Sequence, residues 1–286
     1  MQVNLENTTK KLCVIGDPVL HSKSPLIHNT MLSALGLDYI YLCQSVPRGQ
    51  AAEWLKCAKC AAYAGFNATM PHKEELFPLM DETDSDAALF RSVNTVCIRD
   101  GRAYGYNTDG RGFIRSLVDL GTSPEGKTVL LLGAGGAARA VALKLAQQGA
   151  LKVLVCNRTV EKAAVLCASD PLGRLIPAPF DGGTLRRLAE EADLVVNCTS
   201  LGMAGTSGQF EDFSFLEALR PGAPVLDLIY APAETELLRR AKALGHPTAN
   251  GLGMLVYQAV FALEHFTDTP IDPAAMLALL RPVLGL

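Results

Sequence analysis

Short unbroken runs of apolar residues alternate along this chain with longer segments whose apolar positions recur every three or four residues. The first pattern predicts strands and the second predicts helices with one face in a core. Residues 12–16, 39–44, 64–68, 93–98 and 102–106 read as strands, and 25–35, 48–61 and 72–77 as helices. Beyond Gly112 the alternation continues, with strands over 128–132, 152–156, 193–197 and 224–228 and a helix over 137–148. The tail from Asn250 to Leu286 reads as helical, and the Gly/Pro-bearing segments 121–126 and 202–208 read as loops. Strands alternating with helices predict an α/β fold. The pattern divides into an N-terminal α/β domain over 1–111, joined by the tail at 250–286, and a second domain over 112–249.

One turn in the second domain carries chemistry. Gly133-Ala134-Gly135-Gly136-Ala137-Ala138 follows the apolar run Thr128–Leu132 and opens the helical segment that Gly149 stops. Strand, glycine turn and helix form the setting in which a G-x-G-x-x-G/A pattern binds a dinucleotide. Gly133 allows the tight turn, Gly135 lets a pyrophosphate approach the backbone, and Ala138 keeps helix and strand close. The helix start supplies free N–H groups and partial positive charge. The next strand ends in Asn157-Arg158-Thr159, with Lys162 following, and has no acid to accept from ribose hydroxyls. A cation at this place suits a ribose 2′-phosphate, so NADP is the expected cofactor. The bland reading of Arg158 and Lys162 is a solvated turn and helix start.

Composition narrows the class. The 286 residues are 49% hydrophobic and carry a net charge of −3, enough for two cores and without the basic face of a nucleic-acid binder. No run of 18 apolar residues predicts a membrane span, and Met1–Lys11 lacks the apolar stretch of a secretory signal. Of eight cysteines, Cys13, Cys97, Cys156 and Cys198 lie in or beside apolar strands, as reduced thiols do. Cys57 and Cys60 form a C-x-x-C inside an Ala-rich helical stretch, without the second pair a zinc site needs, so no metal is expected. A reducing cytoplasm is the expected setting.

Three N-terminal stretches hold more polar residues than a loop requires. In the first, Ser22 and Ser24 precede a helix starting near Pro25; they either cap it or form a carboxylate site at its N-terminus. In the second, Gly65 to Lys73, a strand runs into a proline-started helix with Lys73 in its first turn, where the dipole disfavours a cation. Lys73 is there either a solvated lysine or a general base, with His72 as the alternative proton carrier. In the third, Asn94-Thr95 and Asn107-Thr108-Asp109-Gly110, Asp109 either caps the following helix or pairs with Lys73.

Nine motifs in order resemble the shikimate dehydrogenase family: G-x-P-x-x-H-S-K-S-P-x-x-H-N from Gly16, G-F-N-x-T-x-P-x-K from Gly65, V-N-T-V from Val93, N-T-D-G from Asn107, G-A-G-G-A from Gly133, N-R-T from Asn157, N-x-T-S-x-G-M from Asn197, D-L-I-Y from Asp227 and G-x-G-M-L-x-x-Q from Gly251. The resemblance implies a substrate domain facing a Rossmann-type NADP domain across a cleft, and reduction of 3-dehydroshikimate to shikimate with NADPH. It implies Ser22 and Ser24 on the substrate carboxylate, Thr69, Asn94 and Asp109 on ring hydroxyls, Lys73 as catalytic lysine with Asp109, and Tyr230 and Gln258 as further substrate contacts. On the cofactor it implies Gly133, Ala134, Gly135, Gly136, Ala137, Asn157, Arg158, Thr159, Lys162 and a backbone contact at Gly251. Leu228 stands where some relatives carry a Met against the nicotinamide. Ala68, Met70 and Ser85 also depart from the pattern, which leaves a quinate or dual quinate/shikimate dehydrogenase as the alternative. A binder of NADP without turnover is disfavoured by Lys73 and Asp109 together. The expected partner is a small-molecule substrate, with neither nucleic acid nor membrane, and a homodimer stays open.

Overall fold

Strand β1, Lys10–Gly16, is buried from Leu12 onward, as a continuous apolar run requires. The computed structural model describes residues 5–285. After β1 come α1 (Ser24–Ala34), β2 (Tyr39–Ser45), α2 (Ala51–Cys60), β3 (Tyr63–Ala68), α3 (His72–Leu76), β4 (Glu82–Thr83), α4 (Ser85–Phe90), β5 (Thr95–Arg99) and β6 (Arg102–Tyr106). They build one sheet in the order β2-β1-β3-β5-β6-β4. β1 runs parallel to β2 and β3, whereas β5 is antiparallel to both β3 and β6. Asp100-Gly101 makes that reversal: both residues have positive φ, at 50° and 74°, in a two-residue hairpin.

The reversal decides where polar groups gather. Ile15 pairs with Ala68 on β1 and β3, Asn67 with Thr95 on β3 and β5, and Thr95 with Tyr106 on β5 and β6. The carboxyl ends of β1, β3 and β6 and the amino end of β5 therefore share one edge of the sheet. Beneath them Cys13, Ile15, Phe66 and Val96 pack with Leu55, Ala58, Leu76 and Ala87 in a closed core.

The remaining elements are α5 (Asp109–Asp119), β7 (Thr128–Leu132), α6 (Gly136–Gln147), β8 (Lys152–Asn157), α7 (Val160–Cys167), β9 (Leu175–Pro179), α8 (Gly182–Ala189), β10 (Leu194–Asn197), β11 (Val225–Asp227), α9 (Glu236–Ala243), β12 (Thr248–Ala249), α10 (Leu252–Thr267) and α11 (Pro273–Val283). The second sheet has the order β12-β11-β10-β7-β8-β9 and every pair is parallel. The chain steps one way from β7 and then restarts on the other side at β10, so the order reverses between these two strands. Leu130, Leu132, Val195 and Val225 pack there with Leu185, Phe215 and Leu237.

Two compact units result, one running to Thr108 and resuming at Val256, the other Asp109–Leu255. One unit boundary thus falls inside the continuous helix α10. The apolar pattern passed over β4, which is two residues long, and β9, which carries Pro177 and Pro179 at the edge of its sheet. A proline is tolerated there because an edge strand need not donate on its open side. The strand expected from 93 begins at Thr95, with Val93 and Asn94 bonded outside the ladder, and the helix expected over 48–61 is the shorter α2.

Candidate functional site

At the polar edge of the first sheet, each loop is short and tied. Thr69 N–H donates to the Ile15 carbonyl at 2.9 Å, and a Cβ on Gly16 would fall 2.5 Å from Thr69 Cγ2. Glycine at position 16 thus lets the β1 and β3 turns touch. Ala68 N–H donates to the Asn94 carbonyl at 2.9 Å and Val93 N–H to the Lys73 carbonyl at 2.8 Å. Thr69, Lys73 and Asn94 are brought into one corner by these bonds.

Ser22 and Ser24 divide the roles that the sequence left open. Ser24 is the first residue of α1 and not its cap, and Ser22 Oγ accepts from the Ser24 N–H at 3.2 Å. One helical turn on, His28 lies flat on the Tyr41 ring, with centroids 4.1 Å apart and planes 2° from parallel. His28 is 1% exposed and its Nδ1 has no hydrogen-bond partner among the described residues. Burial lowers its pKa to about 3, so it is a neutral imidazole.

Lys73 is half-buried in the first turn of α3, which Pro71 precedes. Its neighbour His72 is wholly buried, with Nε2 2.7 Å from the Val46 carbonyl and Nδ1 2.9 Å from Glu75 Oε2. The His72 bond, helped by the Gly49 N–H, holds the Glu75 carboxyl below its usual range. With both ring nitrogens engaged, His72 anchors the helix start and is not placed to carry a proton for Lys73.

Asn94 is fixed from both sides. Its Oδ1 accepts from the Thr108 N–H at 3.0 Å and from Thr95 Oγ1 at 2.8 Å, while its Nδ2 donates to Thr108 Oγ1 at 3.0 Å. Asn107 Nδ2 donates to the Ser92 carbonyl at 2.8 Å. Asp109 follows directly, buried as the first residue of α5 and not as a residue ahead of it. Gln258 is half-buried on α10.

In the second unit the glycine turn sits where the strand order reverses, at the carboxyl ends of β7 and β10, the place where open α/β sheets take ligands. Gly133 has φ +107°, and a Cβ there would meet Thr199 Cγ2 at 3.1 Å and the Cys198 backbone at 3.2 Å. Gly135 and Gly136 differ: among the described residues beyond their chain neighbours, nothing lies within 4 Å of a Cβ built on either. Gly135 occupies the cap position of α6 without a capping side chain. Space and unclaimed N–H groups at a helix start fit a pyrophosphate. Ala134 is half-buried in the turn and Ala137 exposed at the helix start, so both border that space.

Beyond β8, Asn157 Nδ2 donates to the Thr159 carbonyl at 2.8 Å and shapes the turn. Arg158, Thr159 and Lys162 are exposed, and the side chains of Arg158 and Lys162 have no ion pair among the described residues. Gly251 and Leu228 come together tightly: a Cβ on Gly251 would lie 1.9 Å from the Leu228 carbonyl oxygen, and Gly251 N–H donates to the Ile229 carbonyl at 3.0 Å. Tyr230 is half-buried beside them.

Several residues of these corners were given no role by the sequence. Tyr41, Asn67, Thr95 and Thr108 carry the side-chain bonds of the first, and Asn67 lay within the quoted G-F-N motif. At the ends of β10 and β11, Asp227 is wholly buried and accepts from Asn197 Nδ2 at 2.9 Å, Ile229 N–H at 3.0 Å and Thr235 Oγ1 at 2.7 Å. Burial raises its pKa against those three bonds. Of the strand cysteines, Cys13, Cys97 and Cys156 are buried, and burial pushes Cys97 and Cys156 up to about 12. Cys198 is only partly covered. Cys57 and Cys60 are exposed free thiols on α2. No described helix is long and apolar enough to cross a membrane.

Three family models match in chain order: the shikimate dehydrogenase substrate binding domain over residues 14–96, shikimate / quinate 5-dehydrogenase over 118–204, and the shikimate 5′-dehydrogenase C-terminal domain over 251–281. A shikimate dehydrogenase (NADP(+)) of Alkaliphilus metalliredigens is 41% identical over 278 residues, covering 95% of this chain and 97% of the relative. Shikimate 5-dehydrogenase of Thermus thermophilus, solved with NADP(H) and shikimate, superposes with a TM-score of 0.83 at 36% identity, covering 96% of this chain and 99% of that one. Quinate dehydrogenase of Corynebacterium glutamicum, solved with NAD, superposes with a TM-score of 0.86 at 30% identity, covering 97% and 99%. With all three family domains in order and such identity along nearly its whole length, this chain belongs to the shikimate dehydrogenase family.

Proposed function

We propose that this chain is an NADP-dependent shikimate dehydrogenase that reduces 3-dehydroshikimate to shikimate reversibly, in the cytoplasm. The observation that carries the reading is the corner of the first unit where Thr69, Lys73 and Asn94 share one sheet edge, each tied by hydrogen bonds from neighbouring segments, with Ser24 opening the helix that follows β1. A small polyhydroxylated acid needs such a set. The serines would hold its carboxylate, and Thr69, Asn94 and Asp109 its ring hydroxyls, with Tyr230 and Gln258 adding contacts.

The open backbone at Gly135 and Gly136 and the exposed Arg158, Thr159 and Lys162 fit the pyrophosphate and 2′-phosphate of NADP. Asn157 would hold the turn, and Gly251 with Leu228 would back the nicotinamide end. When bound, NADPH supplies a hydride to the ring carbon that carries the oxo group.

The ring oxygen gathers negative charge as it becomes a hydroxyl, and a positioned N–H donor lowers that barrier. Lys73 is that donor, and takes the proton back in the reverse direction. Asp109 hydrogen-bonds the same hydroxyl. His72 is excluded as a substitute because the Val46 carbonyl and Glu75 occupy its nitrogens.

Steady-state rates with shikimate and quinate, each with NADP and NAD, test the reading. The expected order places shikimate with NADP first. A higher kcat/KM for quinate would assign the chain to the quinate branch, and no turnover with either acid would remove the dehydrogenase reading.

A further inference from the structure

We infer that the Asp227 carboxylate is the counter-charge of the oxidised cofactor: it favours NADP+, whose nicotinamide ring is a cation, over NADPH, whose ring is neutral. The inference rests on the proposed seat of the nicotinamide end against Leu228 and Gly251.

Asp227 ends β11 and pairs in register with Asn197, which ends β10. Both are 0% exposed. They stand at the carboxyl ends of a parallel sheet, where such sheets take ligands. Leu228 follows directly. Its N–H donates to the Asn197 carbonyl at 2.9 Å, and its own carbonyl oxygen is the atom that a Cβ on Gly251 would strike. The carboxylate therefore belongs to the residue next to the backbone proposed to back the nicotinamide end.

The surrounding donors call for the ionised form. Thr199 N–H can only donate, so Asn197 meets it with Oδ1, at 3.0 Å, and turns Nδ2 to Asp227 Oδ1 at 2.9 Å. Ile229 N–H donates to the same Asp227 oxygen at 3.0 Å. Neither donor can accept, so this oxygen carries no proton. The other oxygen receives the Thr235 hydroxyl at 2.7 Å, while Thr235 Oγ1 accepts from Leu238 N–H at 3.4 Å. A proton on that oxygen would turn the Thr235 hydroxyl away, and Thr235, 1% exposed, has no other acceptor among the described residues.

The charge so formed has no cation of its own. Among the described residues Asp227 meets three neutral donors and no Lys, Arg or His. Burial accordingly raises the carboxyl's pKa. The hydrogen bonds themselves do not require a charge. An asparagine at 227 would accept the same two bonds on Oδ1 and donate to Thr235 Oγ1, a smaller loss than the burial of an unpaired ion. Buried charges are paired or hold a cation, and the cation expected at this strand edge is the oxidised ring.

The test is Asp227→Asn, which removes the charge and keeps the shape. Through a medium of effective dielectric about 20, a unit charge alters such a preference roughly tenfold even from about 10 Å away. Calorimetric titration without substrate is therefore expected to show the ratio of Kd for NADP+ to Kd for NADPH rising roughly tenfold, with NADPH binding little changed. In a variant of lowered stability the same ratio is read from the Tm shifts that the two nucleotides produce, since each stabilises by mass action. Thr235→Val is the control: it cuts one bond to the carboxylate and leaves the charge, so it should lower Tm and keep the wild-type ratio. Equal weakening of both nucleotides in Asp227→Asn overturns the inference, confines Asp227 to shaping the turn and leaves the proposed function standing. A ratio that moves as far in Thr235→Val overturns it too. Failure of the wild type to bind either nucleotide would instead sink the NADP reading on which the inference rests.

Discussion

His28 gives the molecule a defined sensitivity to mild acid. It is wholly enclosed between Tyr41 and Phe266, and burial alone lowers its pKa from 6.5 to about 3. The unfolded chain takes up a proton on this imidazole as pH falls below 6.5, whereas the folded chain waits until about 3. The unfolded state then binds more protons, so stability falls with pH throughout that window. At pH 4.5 the difference amounts to about 3 kcal/mol, a large share of a stability of order 10 kcal/mol. The window opens above the carboxylates: Glu75, Asp81 and Glu236 have lowered pKa values, so what they contribute is lost only at lower pH. His28→Phe preserves the stack, deletes the titration and removes the unpaired Nδ1. Urea unfolding of both proteins at pH 7 and 4.5 measures the effect. The wild type should lose about 3 kcal/mol that the variant keeps. Parallel losses in the two proteins would show that His28 is solvated or relaxes on protonation, and that it is not enclosed.

Other perturbations separate the roles assigned to the remaining residues. Lys73→Ala should lower kcat by roughly 10²–10⁴-fold with a much smaller change in KM, measured in steady state; a near-normal kcat would move the proton elsewhere. Arg158→Asp should weaken NADP by about 2 kcal/mol or more relative to NAD, read from the ratio of kcat/KM values, whereas equal losses would return Arg158 to the solvated-turn reading. Gly251→Ala drives a methyl against the Leu228 carbonyl, so the protein should lose Tm by several degrees and affinity for NADP together; an unchanged Tm would mean that the β11 turn yields freely.

How much of this was legible in the chain depends on what kind of interaction fixes each part. Strands β1, β3, β7, β8 and β10 were readable because burial on both faces leaves a run of apolar residues. The proline-bearing β9 and the two-residue β4 leave no such run. The glycine turn was readable because its reason is local: Gly133 needs its positive φ wherever the rest of the fold lies. The role of Tyr41 was not. In sequence it is one more residue of an apolar strand, and only its bond to Asn67, far along the chain, reveals a polar function. Asp227 and Asn197 are the same case: short motifs displayed them, but their mutual bond is a product of the parallel register between β10 and β11.

The two corners are consequently built in opposite ways, and this sets what each will tolerate. The nucleotide corner is shaped by atoms that are missing: Gly133 and Gly251 abut backbone, and Gly135 and Gly136 leave room. An added carbon collides at Gly251 and at Gly133 meets tight contacts and a φ of +107°, while at the latter two it fills space the cofactor would need, so a Gly135→Ala change should leave the fold intact and weaken NADP. The polar corner is shaped by atoms that are present and paired, from Tyr41 to Asn94. There the damaging change is isosteric, the loss of one oxygen or one amide, because each removal leaves a buried partner unsatisfied. Size-changing substitutions should thus map the cofactor side, and polar-to-apolar substitutions of equal size should map the substrate side.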